Sequence, residues 1–250
     1  MSKPKILLID IETFPNIVHV WGLFQQNVGI NQIVKSGTTC CVAAKWLGST
    51  EVMYFGLNNT SAKGMLKKVH KLLEEADMVI HYNGNKFDIP TLNKEFIKED
   101  INPPAPFHQI DLLRVARKQF RFTSNKLDYV AQFLGLGSKV HHKGHSLWIG
   151  CMNKDADSWK EMEKYNKQDV VLLEKVYKKM LPWIKNHPIH SINVDHSCPN
   201  CGSSNLQSRG YATSNTGVFK RYACNDCGTW SQSRFSELKS TKKILKQVKY

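Results

Sequence analysis

Apolar positions along this chain fall into short unbroken runs and longer helical stripes, and the two kinds alternate. Ile6 to Ile9 are four apolar residues in a row, the mark of a strand buried on both faces at the centre of an α/β sheet. Ile17 to Trp21 is strand-like, while the stretch from Gly22 to Gly37 is irregular. Thr38 to Trp46 and Glu51 to Leu57 read as two further strands split by the Gly48-Ser49 turn. An antiparallel meander is therefore expected to lead into the parallel part of a mixed sheet. From Lys63 to Ala76, Met65, Leu66, Val69, Leu72, Leu73 and Ala76 recur at helical spacing beneath a lysine-rich outer face. Asp77 to Tyr82 returns as a strand, and Leu92, Phe96 and Ile97 carry a helix after Phe87. A Pro-rich break at Asn102 to Pro106 precedes His108 to Leu112 and a basic helix through Phe120. Helices are expected again at Lys126 to Leu136 and over the long stretch Ser158 to Met180. Strand and helix in alternation define an α/β layer architecture.

The polar residues that interrupt this pattern carry the chemistry. Asp10 and Glu12 stand two apart at the end of the first strand, so both carboxylates lean to one face. Like charges held that close raise each other's pKa unless a cation sits between them; the bland alternative is a strand end meeting water. Asn83-Gly84 is a turn after the Asp77 to Tyr82 strand, and Asp88 falls in the first turn of the next helix, where the helix dipole alone favours an acid. On the long late helix, Tyr165 and Asp169 are one turn apart on the apolar side formed by Met162, Val170, Leu173, Val176 and Tyr177. An acid facing a core costs on the order of several kcal/mol unless it is paired or metal-bound. Asp111 is a decoy for the same cluster. His141, His142 and His145 lie in a Gly-flanked loop and are read as contacts to a phosphate or a substrate strand rather than as a metal site.

Charge narrows the partners. Lys and Arg number 35 against 21 Asp and Glu, a formal net charge of +14 over 250 residues, which points to a polyanion and most simply to nucleic acid. No apolar run approaches the roughly 18 residues of a membrane span, and Met1 to Pro4 leads into no signal-peptide core, so a cytoplasmic protein with no membrane partner is expected. Of the seven cysteines, Cys40, Cys41 and Cys151 look like small core residues. The other four are paired near the C-terminus, a pattern of metal binding in a reducing compartment.

Those four close a second region. Pro182 and Asn186-His187-Pro188 end the late helix, which places a first domain at 1–185 and a linker at 186–195. Cys198-Pro-Asn-Cys201-Gly and Cys224-Asn-Asp-Cys227-Gly are two Cys-x₂-Cys knuckles separated by 22 residues, each followed by a glycine that lets the backbone turn under the sulfurs. Four thiolates suit one structural Zn²⁺, and the spacing resembles a zinc ribbon over 196–238. Arg209, Tyr211, Lys220, Arg221, Tyr222, Trp230 and Arg234 interleave cations with aromatics. Arg221 and Trp230 are the candidate strand contacts there, with a small ribbon core as the alternative role for the aromatics. A basic tail at 239–250 adds five lysines and no acid.

Taken together, Asp10-x-Glu12 on a buried first strand, Asn83-Gly-x-x-Phe-Asp88 after a middle strand and Tyr165-x-x-x-Asp169 on a late helix resemble the Exo I, Exo II and Exo III motifs of DnaQ-like 3′–5′ exonucleases. The subgroup resembled is DEDDy, because Lys164 stands where the DEDDh form carries histidine; His81 to Pro90 is most similar to the proofreading domain of family-B DNA polymerases. The resemblance covers about residues 5–185. It implies a ribonuclease H-like α/β fold, a mixed sheet flanked by helices, and two Mg²⁺ or Mn²⁺ ions. Asp10 would bridge both ions, Glu12 and Asp169 would hold the first, and Asp88 the second. Such ions supply positive charge on the attacking and leaving sides of a phosphodiester. Tyr165 would position the water or the phosphate, and Thr13, Phe14 and Asn83 would touch the substrate, with a packing role for Phe14 standing beside this. Release of nucleoside 5′-monophosphates from DNA 3′ ends is the implied activity, in end processing or in proofreading in trans, since no polymerase motif is present. A DNA polymerase lacking its own exonuclease is the implied protein partner. RNA in place of DNA, and a non-catalytic nucleic-acid or polymerase-binding module, are the alternatives.

Overall fold

A computed structural model describes residues 4–185, 187–188, 196–214 and 217–238. The expected tail, and most of the expected linker, lie outside these residues. The chain divides into two compact units, Lys5–Lys178 and, with Met1–Pro4, Lys179–Tyr250.

The larger unit begins with β1 (Ile6–Thr13), β2 (Ile17–Val18), β3 (Ile33–Lys35), β4 (Thr39–Trp46) and β5 (Met53–Gly56). There follow α1 (Ala62–Glu75), β6 (Met78–His81), α2 (Asp88–Lys98), β7 (His108–Asp111), α3 (Leu112–Gln119), α4 (Leu127–Phe133), α5 (His145–Met152) and α6 (Ala156–Met180). The main sheet has the order β5-β4-β1-β6-β7. β4 runs antiparallel to β1 and β5 to β4, whereas β6 and β7 are parallel to their neighbours. The apolar run of β1 thus occupies the centre of a mixed sheet, where both of its faces are covered. Leu7, Ile9 and Ile11 pack against Met65, Leu66, Val69 and Leu73 of α1 and Leu92 and Phe96 of α2. A second cluster joins Cys40 and Cys41 of β4 to Leu147 and Cys151 of α5 and to Trp159, Met162 and Tyr165 of α6. The three cysteines expected in the core are there, as free thiols.

Two local readings change. The strand expected at Ile17 to Trp21 is only two residues long, and Trp21 is fully exposed, because among the described residues β2 pairs with the short β3 and with no strand of the main sheet. The histidine loop ends at Gly144, and His145 opens α5, a helix the loop reading leaves out. Leu147 and Cys151 bury one side of that helix although the adjacent glycines gave no sign of one.

The smaller unit holds β8 (Leu206–Ser214), β9 (Gly217–Cys224) and β10 (Trp230–Gln232), an antiparallel sheet in the order β10-β9-β8. No helix among the described residues is long and apolar enough to cross a membrane.

Candidate active site

Strand periodicity puts Asp10 and Glu12 on the face of β1 opposite Ile9 and Ile11. In register they lie beside Ala43 and Cys41 of β4. Met162, Tyr165, Asn166, Asp169, Val170 and Leu173 form the buried stripe of α6, so the helix that closes this face also delivers Asp169. Carboxylate oxygens of Asp10, Glu12 and Asp169 lie within 4.8 Å of one another. Asp88, at the first turn of α2, is buried beside them but outside that group; its Oδ1 accepts a hydrogen bond from the Ile11 N–H at 3.2 Å.

Burial is the main force on these acids, and mutual repulsion adds to it. Burial, then the Glu12, Asp88 and Asp169 charges, hold Asp10 well above the usual carboxylate range. Glu12 is pushed up to about 8, by burial first, with Lys139 opposing and the Asp169 and Asp88 charges reinforcing. Burial raises Asp88 to about 7 against the pull of the Ile11 N–H. Asp169 is also raised by burial, and Lys139 draws it partway back. Asp169 Oδ1 is buried without a hydrogen-bond partner among the described residues. Clustered hard oxygen donors with an orphaned lone pair fit a divalent cation such as Mg²⁺ or Mn²⁺.

Two neighbours, Lys139 and Asn166, were not assigned from sequence. Lys139 Nζ donates to Asp169 Oδ2 at 2.5 Å and to the Tyr165 hydroxyl at 3.1 Å. Burial works against its charge, but Asp169, Tyr165 and Asp10 outweigh that and keep it protonated. Asn166 Nδ2 donates to Asp10 Oδ2 at 2.8 Å and so fixes one carboxylate of β1 from α6. A polar residue on the apolar stripe, four after Met162, was the available signal for Asn166; nothing in the spacing marks Lys139. His142 packs 4.7 Å from the Tyr165 ring and 5.2 Å from Trp148, so it supports the tyrosine instead of reaching out of its loop. A cavity of about 540 Å³ opens beside Asp10, with Tyr82, Arg117, Asn125, Lys126 and Lys139 among its walls.

The remaining expected residues are placed as follows. Thr13 ends β1 opposite Thr39. Phe14 meets Trp159 edge-on at 6.0 Å, a packing contact. Asn83 has a φ of 70°, and its N–H donates to Asp111 Oδ1. Asp111 also caps α3 through the Leu113 N–H and, like Asp88, lies outside the Asp10–Glu12–Asp169 group, while its charge acts on Asp88. The turn here needs Gly84, because a Cβ would come within 2.3 Å of the buried His81 ring. His81 Nδ1 in turn accepts the Gly84 N–H at 3.0 Å.

In the smaller unit the sulfurs of Cys198, Cys201, Cys224 and Cys227 all lie within 4.8 Å of one another, and none is in a disulfide. Cys198 and Cys227 are 3.6 Å apart, and Cys201 and Cys224 3.7 Å. A tetrahedron with Zn–S bonds of about 2.3 Å has edges of about 3.8 Å, so the four thiols fit one zinc. Gly202 and Gly228 take φ of 74° and 78° and donate their N–H groups to the Cys198 and Cys224 carbonyls, which closes each knuckle. Arg221 lies over the exposed Trp230 ring at 5.1 Å.

A mixed sheet with acids at the end of its central strand, and a further acid delivered by a packed helix, defines a ribonuclease H-like nuclease fold. The family model RNase_H_2, of the RNase_H superfamily, matches residues 35–181, and the chain belongs to that family. Among solved structures, a family B DNA polymerase from the hyperthermophilic archaeon Pyrobaculum calidifontis is similar, with a TM-score of 0.54 and 17% sequence identity. That match covers 72% of this chain and 25% of the polymerase, so the chain corresponds to about a quarter of that protein's length. No curated protein matches the chain.

Proposed function

We infer that the chain is a metal-dependent 3′–5′ exonuclease, acting on DNA ends to release nucleoside 5′-monophosphates, with a zinc ribbon as its second domain. The observation that carries this reading is the convergence of Asp10, Glu12 and Asp169 next to Asp88, with Tyr165 one turn before Asp169 and bonded to the same lysine. Asp10, Glu12, Asp88 and Asp169 would hold two Mg²⁺ or Mn²⁺ ions. Such ions, when bound, supply the positive charge that activates water and stabilises a leaving 3′-oxygen.

The chain's own groups do the rest. Burial, with the Glu12 and Asp169 charges, pushes the Tyr165 phenol above its usual range, so it stays a hydrogen-bond donor at neutral pH and orients water or phosphate. Lys139 places a fixed cation beside that hydroxyl, where it offsets charge building on phosphate oxygens. Asn166 locks the Asp10 carboxylate in one orientation. Arg117 and Lys126, on the walls of the adjoining cavity, give a phosphate-bearing strand a basic approach. In the ribbon, Arg221 and Trp230 offer a cation and a ring to a strand or to a protein partner such as a polymerase.

The test is gel analysis of 3′-labelled and 5′-labelled single strands, DNA and RNA side by side, with Mg²⁺ or Mn²⁺. Immediate release of the 3′ label as mononucleotide from DNA, with a 5′ label that shortens stepwise, is the expected result. Preference for RNA would change the substrate, and no cleavage of either would leave a binding module.

A further inference from the structure

Eight of the seventeen exposed large hydrophobic side chains among the described residues fall between Ile17 and Val34, a concentration too local to be ordinary surface scatter. The segment is an arm. It leaves β1 at Thr13 and returns at Thr39, and the two residues pair across its root. Phe14 N–H donates to the Thr38 carbonyl, Gly37 N–H to Asn16 Oδ1, and Lys94 to the Gly37 carbonyl. Further out, the His19 N–H and the Gln32 side chain tie β2 to β3. Beyond those ties Trp21 is 100% exposed, Leu23 89%, Phe24 85% and Ile30 89%.

Charge and position say what covers them. No Asp or Glu occurs between Glu12 and Glu51 in a chain that has 21, so no acid on the arm repels a polyphosphate. Apart from His19, its polar residues are amides, Gln25, Gln26, Asn27, Asn31 and Gln32, which can pair with base edges and release no counterions. Trp21 follows Glu12 by nine residues, so at most about 32 Å of chain separates it from the acid cluster. That distance is within reach of the next few nucleotides of a strand whose end is at Asp10.

We propose that the Ile17–Val34 arm is a stacking platform for single-stranded nucleic acid, on which bases behind the strand end rest against Trp21 and Phe24. This rests on the nuclease reading for the direction of the strand but not for the contact itself. Base stacking on an aromatic ring contributes about 5- to 150-fold in affinity per ring. In the Asp10→Asn background, anisotropy of a labelled 15-nucleotide single strand should show Trp21→Ala with Phe24→Ala binding at least tenfold more weakly. The salt dependence should keep its slope, since no phosphate contact is removed. Trp21→Phe with Phe24→Tyr should restore most of the affinity, and Leu23→Ala with Ile30→Ala should cost less than threefold. Unchanged affinity in the alanine pair overturns the proposal, as does an equal loss in the aliphatic pair. A shift in oligomeric state by light scattering, with affinity unchanged, assigns the arm to a second copy of the chain instead. Release of the 3′ label by a protein whose arm variants bind normally would sink the platform and keep the nuclease; weakened binding in a protein that cleaves nothing would do the reverse.

Discussion

The two groups of candidate metal ligands stand in opposite relation to their folds. Asp10, Glu12 and Asp169 sit on one face of a sheet whose other face is covered independently by Leu7, Ile9, Ile11, Val69, Leu92 and Phe96. Nothing in that apolar core calls for an ion, and the buried acids burden it. Around the cysteines the described residues bury little else: Cys198 and Cys224 are among the few of them in that unit that are fully covered, and β8 is exposed along nearly its whole length. The first fold is expected to hold without its ligands and the second to depend on them.

Removing a ligand should therefore have different consequences in the two places. Cys198→Ser or Cys227→Ser should release the zinc and unfold the chain after about residue 195, because a structural zinc contributes about 10 kcal/mol or more to a small domain. Limited proteolysis with elemental analysis checks this, and the unit from Lys5 to Lys178 should keep its melting transition. Zinc-free protein with an intact ribbon would erase the contrast. Asp10→Ala should show the reverse pattern, a fold at least as stable without cations and cleavage reduced by more than about 10³-fold, beyond the loss of one charge-stabilising group. Undiminished turnover would end the two-metal assignment.

The burden of the acids is also visible in pH. Glu12 is raised from 4.5 to about 8 and Asp88 from 3.8 to about 7 in the folded chain. A raised carboxyl binds its proton more tightly when folded than unfolded, so its contribution is fully present below the unfolded value. It is lost as pH climbs through the folded one. Without divalent cations the melting temperature of the larger unit should thus fall between about pH 4 and pH 8. Mg²⁺ or Mn²⁺ should lift it most at the alkaline end, and Asp10→Asn should flatten the slope. A cation-free melting temperature that rises across this range would show that the acids are already compensated.

Much of this was legible because the physics is local. Ile6 to Ile9 could only be a central strand, and strand and helix periods alone put Asp10 with Glu12 and Tyr165 with Asp169. The knuckles were readable as pairs at fixed spacing. Lys139 was not, because it reaches Asp169 from a segment whose path depends on the packing of α4 and α6 rather than on any period. The arm was hidden for a related reason. Ile17 to Trp21 has the residues of a strand, but strand length depends on a partner, and β3 offers only three residues.

The smallest effect is expected at Tyr165, and it separates a site built on charge from one built on proton transfer. The phenol is held above its usual pKa range by burial and by Glu12 and Asp169, against the pull of Lys139, so at neutral pH it has a proton to donate and none to accept. Tyr165→Phe removes that one donor, leaves the Lys139–Asp169 ion pair and every carboxylate in place, and keeps the ring that His142 packs against. A single hydrogen bond to a charged partner contributes about 1.5–3 kcal/mol, so the rate should fall by roughly 10- to 150-fold. Cation affinity should stay unchanged, as should the pH at which the rate rises. If the tyrosine were instead the general base, the variant would lose its alkaline limb and up to about 10⁴-fold in rate. A pH–rate profile of Tyr165→Phe beside wild type, at saturating Mn²⁺, decides between the two.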